Sequence, residues 1–287
     1  MPDFYRQTSC FTDLGAYRDF ARDLPDDIKT LCLLQRAQII HPVTILTQSG
    51  ETPYGNMAEV PEDSLVFENE RFQTALSILA ELLRRDARYG MDRAVKDKLH
   101  LCCREQAILL AAILKAKGVP ARVRSGFASY LAADGLYHDH WITEWYDAAQ
   151  NRWVLTDPDC CMEPIGGLDP FDLPRGEFLF GAQAYLALRN GELDGEKLVY
   201  ASDPPTYGMK AALRALFYEF HALRNDEIFF WHVPRYLAER DMEPTQGDFA
   251  ELDALAALLL SPDEQFDALQ QLWEEQPKFR ILSGGFN

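Results

Sequence analysis

The chain has 287 residues, a mass of 32.7 kDa, a formal net charge of -17 and a pI of about 4.7. A chain of this length can bury a sizeable core, and so acidic a protein repels phosphate backbones, which argues against nucleic acid as a partner. No apolar stretch has the length of a signal peptide or a membrane span, and the six cysteines show no disulfide framework. We therefore expect a cytoplasmic protein that does not contact a membrane.

The N-terminal part, residues 1–98, is predicted to be mostly helical. Residues 11–40 show a helical pattern in two pieces, and the His41-Pro42 pair is expected to end the second piece. Residues 47–63 contain several turn-forming residues and no periodicity, which predicts a surface loop. Residues 65–88 resume a helical pattern with one apolar stripe, which is typical of a helix packed on a core.

The most informative element is a helix that begins near the adjacent cysteines Cys102 and Cys103. Residues 107–114 are all apolar, and a helix that is apolar on every side is buried. Gly118 is the residue type preferred where a helix ends, and Pro120 prevents the helix from continuing. The pattern predicts a buried helix with a thiol at its N-terminal end.

Three strands are predicted after this helix. Residues 121–130 alternate in polarity, residues 137–146 form an aromatic-rich run, and residues 152–156 form the partner of that run across a turn. The last strand is expected to stop at Asp157, because the proline that follows cannot donate a hydrogen bond to a sheet.

A thiol, two histidines and a carboxylate, the groups that catalysis by a cysteine nucleophile uses, follow one another along this region. A helix N-terminus favours the thiolate, which is the reactive form of cysteine, through its unpaired N–H groups and its partial positive charge. Such a thiolate needs a base and a group that orients the base. His138 and His140 lie two residues apart and so share one face of a strand, and Asp157 follows the partner strand.

The motifs C-x-x-x-A, G-V-P-A-R, H-x-x-x-E and W-V-x-x-D-P occur in this order within residues 99–160. This order resembles the core of the transglutaminase-like family, which belongs to the papain-like cysteine enzymes. The matching residues are Cys103 with Ala107, Gly118 to Arg122, His140 with Glu144, and Trp153 with Asp157 and Pro158. The resemblance implies that a thiolate attacks an acyl carbon, with Cys103, His140 and Asp157 as the catalytic triad.

Two features depart from the family pattern. Many members have a glycine two places before the nucleophile, where this chain has Leu101, so the oxyanion pocket is expected to differ. The doubled cysteine leaves the register open by one residue, and the spacing to Ala107 favours Cys103 over Cys102. Asp159 lies on the Asp157 face by strand periodicity and is the alternative residue to orient the base.

Other residues near the triad are assigned to substrate binding or weighed as metal ligands. Glu144, Cys102 and His138 are the predicted substrate-binding residues. His138, His140, Cys103 and Asp157 are all permissible zinc ligands, but adjacent cysteines lack the usual C-x-x-C clamp spacing. We therefore predict no metal and no cofactor.

The C-terminal part, residues 161–287, begins with a loop rich in glycine and proline and continues as a series of helices. Helical patterns cover residues 180–190, 207–224, 226–240, 248–260 and 263–275. The predicted fold class is α+β, with a papain-like or transglutaminase-like core. In it a small antiparallel sheet packs on the buried helix that starts at the cysteine, and added helices come from both ends of one domain, residues 1–287.

The predicted function is that of a cysteine-nucleophile acyl-transfer enzyme acting on an amide, peptide or thioester carbonyl of a peptide, a protein or a small molecule. Hydrolysis is favoured over transamidation, because transamidation requires a second, amine-accepting site that the sequence does not reveal. The alternative is a catalytically silent module that binds a peptide or protein partner in the same cleft. Acetyl transfer of the arylamine type ranks lower, because the glycine-rich lead-in to the cysteine is missing. The sequence leaves the oligomeric state open.

Overall fold

The computed structural model describes residues 2–162, 165–202, 204–280 and 282–283. The α-helices are α1 Arg18–Arg22, α2 Ile28–Arg36, α3 Pro42–Thr47, α4 Ala75–Arg85, α5 Cys103–Ala116, α6 Gly181–Arg189, α7 Gly208–Ala222, α8 Arg235–Ala238, α9 Gln246–Leu259, α10 Phe266–Glu275 and α11 Pro277–Arg280. The strands are β1 Ile39–Ile40, β2 Glu51–Thr52, β3 Gly55–Asn56, β4 Leu99–His100, β5 Ala121–Ala128, β6 Tyr137–Asp147, β7 Arg152–Thr156, β8 Phe178–Phe180, β9 Leu198–Tyr200, β10 Thr206–Tyr207, β11 Val233–Pro234 and β12 Leu282–Ser283.

The main sheet has the strand order β10-β9-β6-β5-β8, and β7 pairs with β6 away from this path. The β6–β7 and β5–β8 pairs are antiparallel. The pairing of β6 with β9 is parallel, because the chain reaches β9 through the crossover that contains α6. The small sheet and the many helices confirm the predicted α+β class, and the sheet is mixed rather than wholly antiparallel.

The chain divides into two compact units, one with residues 2–123 and 142–174, the other with residues 124–141 and those from 175 onward. Strands β5 and β6 are continuous and contribute residues to both units. The organisation of residues 1–287 as a single domain stays a prediction. Within the described ranges, no helix combines the length and apolarity needed to cross a membrane.

Helix α5 is the buried helix expected from the sequence. All its residues from Cys103 to Lys115 are buried, and Cys102 is the N-cap residue in extended conformation. At the other end Gly118 has a φ of 80°, and the N–H of Val119 donates to the carbonyl of Leu114 at 2.9 Å. The N–H of Gly118 donates to the carbonyl of Lys115 at 2.9 Å, which completes a Schellman motif.

The other unit contains α7, of which the part from Ala211 to Ala222 is almost wholly buried. Helices α6 and α7 pack closely, because a Cβ added at Gly181 would lie 2.3 Å from the carbonyl oxygen of Ala215. A buried ion pair joins Arg124 of β5 to Glu219 of α7.

Several N-terminal boundaries differ from the sequence prediction. The helix predicted over 65–88 begins only at Ala75, because Thr74 and Ser77 form a capping box there. Pro42 does not end a helix but begins α3, where its missing N–H costs no hydrogen bond and the His41 side chain accepts the N–H of Val43.

The loop predicted over 47–63 contains the β2–β3 hairpin, and Tyr54 and Met57 in this segment are buried in a small apolar cluster. Near the C-terminus, the helix predicted over 226–240 is limited to α8, which covers Arg235–Ala238. Both differences arise from tertiary packing, which local propensity does not encode.

Candidate active site

Cys103 is the first residue of α5, where the N–H groups of the helix have no intrahelical acceptor. Its exposed fraction is 9%, so the thiol is buried apart from a small accessible area. The neighbouring Cys102 lies outside the helix, with its Sγ 3.7 Å from Oδ1 of Asn69. The helix dipole can therefore stabilise a thiolate at Cys103 better than one at Cys102.

Strand β6 is attached to α5 through a side chain in the middle of the strand. The Thr143 hydroxyl donates to the carbonyl of Ala107 at 3.0 Å, and both residues are fully buried. A small residue at 107 allows this close approach of strand and helix, which explains the alanine of the C-x-x-x-A motif.

His140 lies three residues before Thr143 on the same strand and is 2% exposed. Its ring lies among aromatic side chains, with centroids 6.3 Å from Tyr130 and 6.4 Å from Phe178. The second predicted histidine, His138, lies in a different environment. Its Nε2 is 2.8 Å from a carboxylate oxygen of Asp134, and its side chain is 30% exposed.

Asp157 directly follows β7 and is fully buried. Its backbone N–H donates to the carbonyl of Pro170 at 2.7 Å, which fixes the end of the strand. Its Oδ1 accepts the backbone N–H groups of Asp159 and Cys160, each at 3.1 Å. The carboxylate is thus oriented by the turn that it begins.

The turn after β7 places a thiol beside the carboxylate of Asp157. One carboxylate oxygen of Asp157 and the Sγ of Cys160 lie within 4.8 Å of each other, and both residues are buried. The sequence left the role of Cys160 open between a residue that lines the cleft and an ordinary loop residue. His140, the other predicted triad member besides Cys103, belongs to the other compact unit.

Asp159 is held in a separate polar network that joins the loop after β7 to helices α2 and α5. Gln106 Nε2 donates to Oδ1 of Asp159 at 2.6 Å, and Arg36 Nη2 lies 3.4 Å from the same oxygen. Arg36 Nε also donates to the Asp159 carbonyl at 2.7 Å, and His41 Nε2 lies 3.7 Å from Oδ2. These contacts give Asp159 a role in fixing the loop that contains Asp157 and Cys160.

Glu144 is fully buried and accepts a hydrogen bond of 2.7 Å from Arg122 Nε. The Arg122 guanidinium lies 4.0 Å from the Trp153 ring centroid and 4.8 Å from that of Tyr5. Arg122, Glu144 and Trp153 come from three different family motifs, and together they form one buried cation–π and ion-pair cluster. Their contacts are those of a structural unit, and the assignment of Glu144 to substrate binding stays a prediction.

Residues 75–158 match the family model of the transglutaminase-like superfamily. This segment is similar to the core of that superfamily. The match includes Cys103, His140, Asp157 and the strands between them, and it confirms the resemblance that the motifs indicated.

No curated protein matches the chain significantly. Among solved structures, a chain from Cytophaga hutchinsonii described as a "putative cysteine protease" matches with 16% identity and a TM-score of 0.32. The match covers 60% of this chain and 46% of that one, so the present chain spans less than half of the length of that protein.

Burial changes the acidity of several groups around the transglutaminase-like core. Burial raises the pKa of Glu105 to about 7, and its ion pair with Arg104, with Nη1 2.6 Å from Oε1, offsets this effect only in part. Burial also raises the pKa of Asp139, next to His140, to about 6. The thiol of Cys161 has a pKa raised to about 12 by burial, so this cysteine stays protonated at neutral pH.

The sequence prediction left the role of Cys160 open and missed the residues that hold Asp159, namely Gln106 and Arg36. The spacing D-x-x-C after a strand is a signal for Cys160, since an aspartate that accepts the N–H groups two and three residues later turns the chain back on itself. No local signal identifies Arg36 or Gln106, because each acts on a residue far away in sequence.

Proposed function

We propose that the chain is a cysteine enzyme that transfers the acyl group of an amide, peptide or thioester, with Cys103 as the nucleophile, His140 as the base and Asp157 as the residue that orients the base. The observation that carries this proposal is the match of residues 75–158, which include Cys103, His140 and Asp157, to the transglutaminase-like superfamily. The position of Cys103 at the first residue of α5 supports its role.

The proposed reaction begins when Cys103 Sγ attacks the carbonyl carbon while His140 takes the thiol proton. The Cys103 backbone N–H at the helix start donates to the developing oxyanion. The bond to the leaving group then breaks, His140 returns the proton to the departing amine or thiol, and a thioester with Cys103 remains. Asp157 keeps the His140 ring in the tautomer that accepts the thiol proton and stabilises the imidazolium.

The second half-reaction regenerates the thiol. In hydrolysis, His140 takes a proton from water, the hydroxide attacks the thioester, and the acid is released as the proton returns to the sulfur. In transamidation a primary amine takes the place of water. We propose hydrolysis, with a peptide, a protein or a small amide as substrate. Incubation with a glutamine-containing peptide and a fluorescent primary amine tests this, since hydrolysis releases ammonia without incorporating the amine.

Thiol labelling tests the proposed nucleophile directly. Iodoacetamide at pH 7, followed by peptide mapping, gives a separate rate for Cys103, Cys160 and the exposed Cys10, which serves as an internal reference. We expect Cys103 to react faster than Cys10 despite its burial, and the fast phase to disappear in Cys103→Ala but not in Cys160→Ala. Loss of the fast phase only in Cys160→Ala would instead assign the nucleophile to Cys160.

The alternative function is a catalytically silent module that binds a peptide or protein partner. In such a module no base activates the thiol of Cys103. Cys103 should then be labelled slowly, and at the same rate in the wild-type protein and in a His140→Ala variant. An enzyme predicts a large difference between these two proteins.

A further inference from the structure

A cavity of about 350 Å³ lies against the last turn of α5, among residues of the N-terminal segment. Four cationic side chains line it, from Arg6, Arg18, Arg22 and Lys115. The chain has a net charge of -17, so four cationic side chains around one cavity have the opposite sign to the protein as a whole. We propose that this cavity binds a phosphate group of a small molecule, such as a phosphomonoester or a pyrophosphate.

Two of the arginines are held in place by the end of α5. Arg6 Nε donates to the Gly118 carbonyl at 3.0 Å, and Arg22 Nε donates to the Ala116 carbonyl at 3.1 Å. Their Nη1 atoms pair with Asp3 and Asp19, whose side chains are 82% and 91% exposed. Within the described part of the chain, Nη2 of Arg6 and of Arg22 donates to no protein acceptor, so both guanidinium groups keep a donor for a ligand.

The wall of the cavity is built from buried polar groups. Lys115 is 5% exposed and its Nζ lies 3.5 Å from Oγ1 of Thr12, which is itself fully buried. A buried ammonium that lines a cavity attracts an anion strongly, because little water screens its charge. Lys115 supplies the charge at the wall, and the arginines supply the planar N–H groups that match phosphate oxygens.

The helix end alone does not account for this cluster. Arg22 satisfies the last carbonyl of α5 and Arg6 satisfies the carbonyl of Gly118 just after the helix, which is a structural role for these two residues. Arg18 makes no bond to α5, and its Nη2 lies 3.2 Å from Asp13 in a surface pair whose side chains are about half exposed. An exposed pair of this kind contributes little to stability, so Arg18 is available to a ligand.

The phosphate site is independent of the proposed acyl transfer. It lies at the C-terminal end of α5, about 20 Å along the helix from Cys103, given 14 residues at a rise of about 1.5 Å each. Phosphate binding is therefore measured without any assay of the thiol, and its failure leaves the proposed function untouched.

Titration calorimetry with pyrophosphate at low ionic strength tests the proposal on the full chain. We expect one binding site per chain in the wild-type protein, and affinity at least tenfold lower in Arg18→Gln. Arg18→Lys keeps the charge but lacks the planar donor fork, so it should bind with intermediate affinity. Thermal unfolding of each variant without ligand verifies that it is folded.

Arg88→Gln is the matched control, since it makes the same change of charge at an arginine outside the cavity with a side chain 71% exposed. Its affinity for pyrophosphate should equal that of the wild-type protein. The proposal is overturned if the wild-type protein shows no saturable binding, or if Arg18→Gln and Arg88→Gln bind pyrophosphate equally well.

Discussion

Gln106 and Asp159 are joined by a hydrogen bond of 2.6 Å from the side-chain amide of Gln106 to the carboxylate of Asp159. Gln106 lies one turn after Cys103 in α5, and Asp159 lies two residues after Asp157 in the loop that follows β7. The bond thus connects the helix that begins with the proposed nucleophile to the loop that contains the proposed orienting carboxylate.

Replacing Gln106 by leucine should lower the free energy of unfolding by about 2 kcal/mol, because a buried carboxylate loses a donor. Denaturant unfolding measures the change. Gln271→Leu is the control, since Gln271 donates only to Glu275 within an exposed helix, and its effect should stay within about 0.5 kcal/mol. Equal losses of unfolding free energy in the two variants would contradict the prediction that the contact with Asp159 stabilises the fold.

Arg122 and Glu144 provide a second test, because both are buried and form an ion pair that is lost when either side chain is removed. Arg122→Ala should lower the free energy of unfolding by about 3–5 kcal/mol. Replacing both residues with apolar side chains of similar volume should lower it less. Arg152→Ala removes an ion pair with Asp172 that is about 40% exposed and should cost less than about 1 kcal/mol. Wild-type stability in Arg122→Ala would refute the structural role that the contacts indicate.

Glu105 should make the protein less stable as the pH rises. Its pKa is about 7 in the folded protein against 4.5 for an ordinary glutamate, so the folded state binds more protons than the unfolded state between these values. The contribution of Glu105 to the free energy of unfolding is therefore largest below pH 4.5. Up to about 3 kcal/mol of that free energy is lost as the pH rises through 7.

Unfolding midpoints measured from pH 5 to pH 8 should fall, and they should fall less in Glu105→Gln. Asp139, with a pKa raised to about 6, contributes a fall of the same sign that remains in the variant. Glu81→Gln is the control, because the hydrogen bond from Arg84 lowers the pKa of Glu81 to about 2. The contribution of Glu81 to stability is lost only in acid, so this variant should keep the wild-type slope between pH 5 and pH 8. An identical slope in wild type and Glu105→Gln would contradict the prediction.

Asp157→Asn should separate the chemistry of the site from its architecture. The amide oxygen of asparagine can still accept the N–H groups of Asp159 and Cys160, so the turn should persist and the melting temperature should change little. If Asp157 has the proposed role of stabilising the His140 imidazolium, the variant loses that charge, and labelling of Cys103 at pH 7 should slow at least about tenfold. An unchanged labelling rate would mean that Asp157 serves the fold alone.

The sequence determined the elements whose signals are local. The apolar run at 107–114 and the glycine at 118 predicted α5 closely, because backbone preference acts within a few residues. The alternation over 121–130 and the aromatic-rich run over 137–146 predicted β5 and β6 in the same way. The same local order of motifs indicated the transglutaminase-like core that the family model confirms.

Tertiary structure decided which distant residues meet. The bond from Gln106 to Asp159 joins residues 53 positions apart, and the cationic cavity at Lys115 joins residues more than 90 positions apart. No periodicity in the sequence encodes either contact. Chain geometry fixes which face a side chain occupies, but only the packing of whole elements sets the distances at which charge, hydrogen bonding and chemistry act.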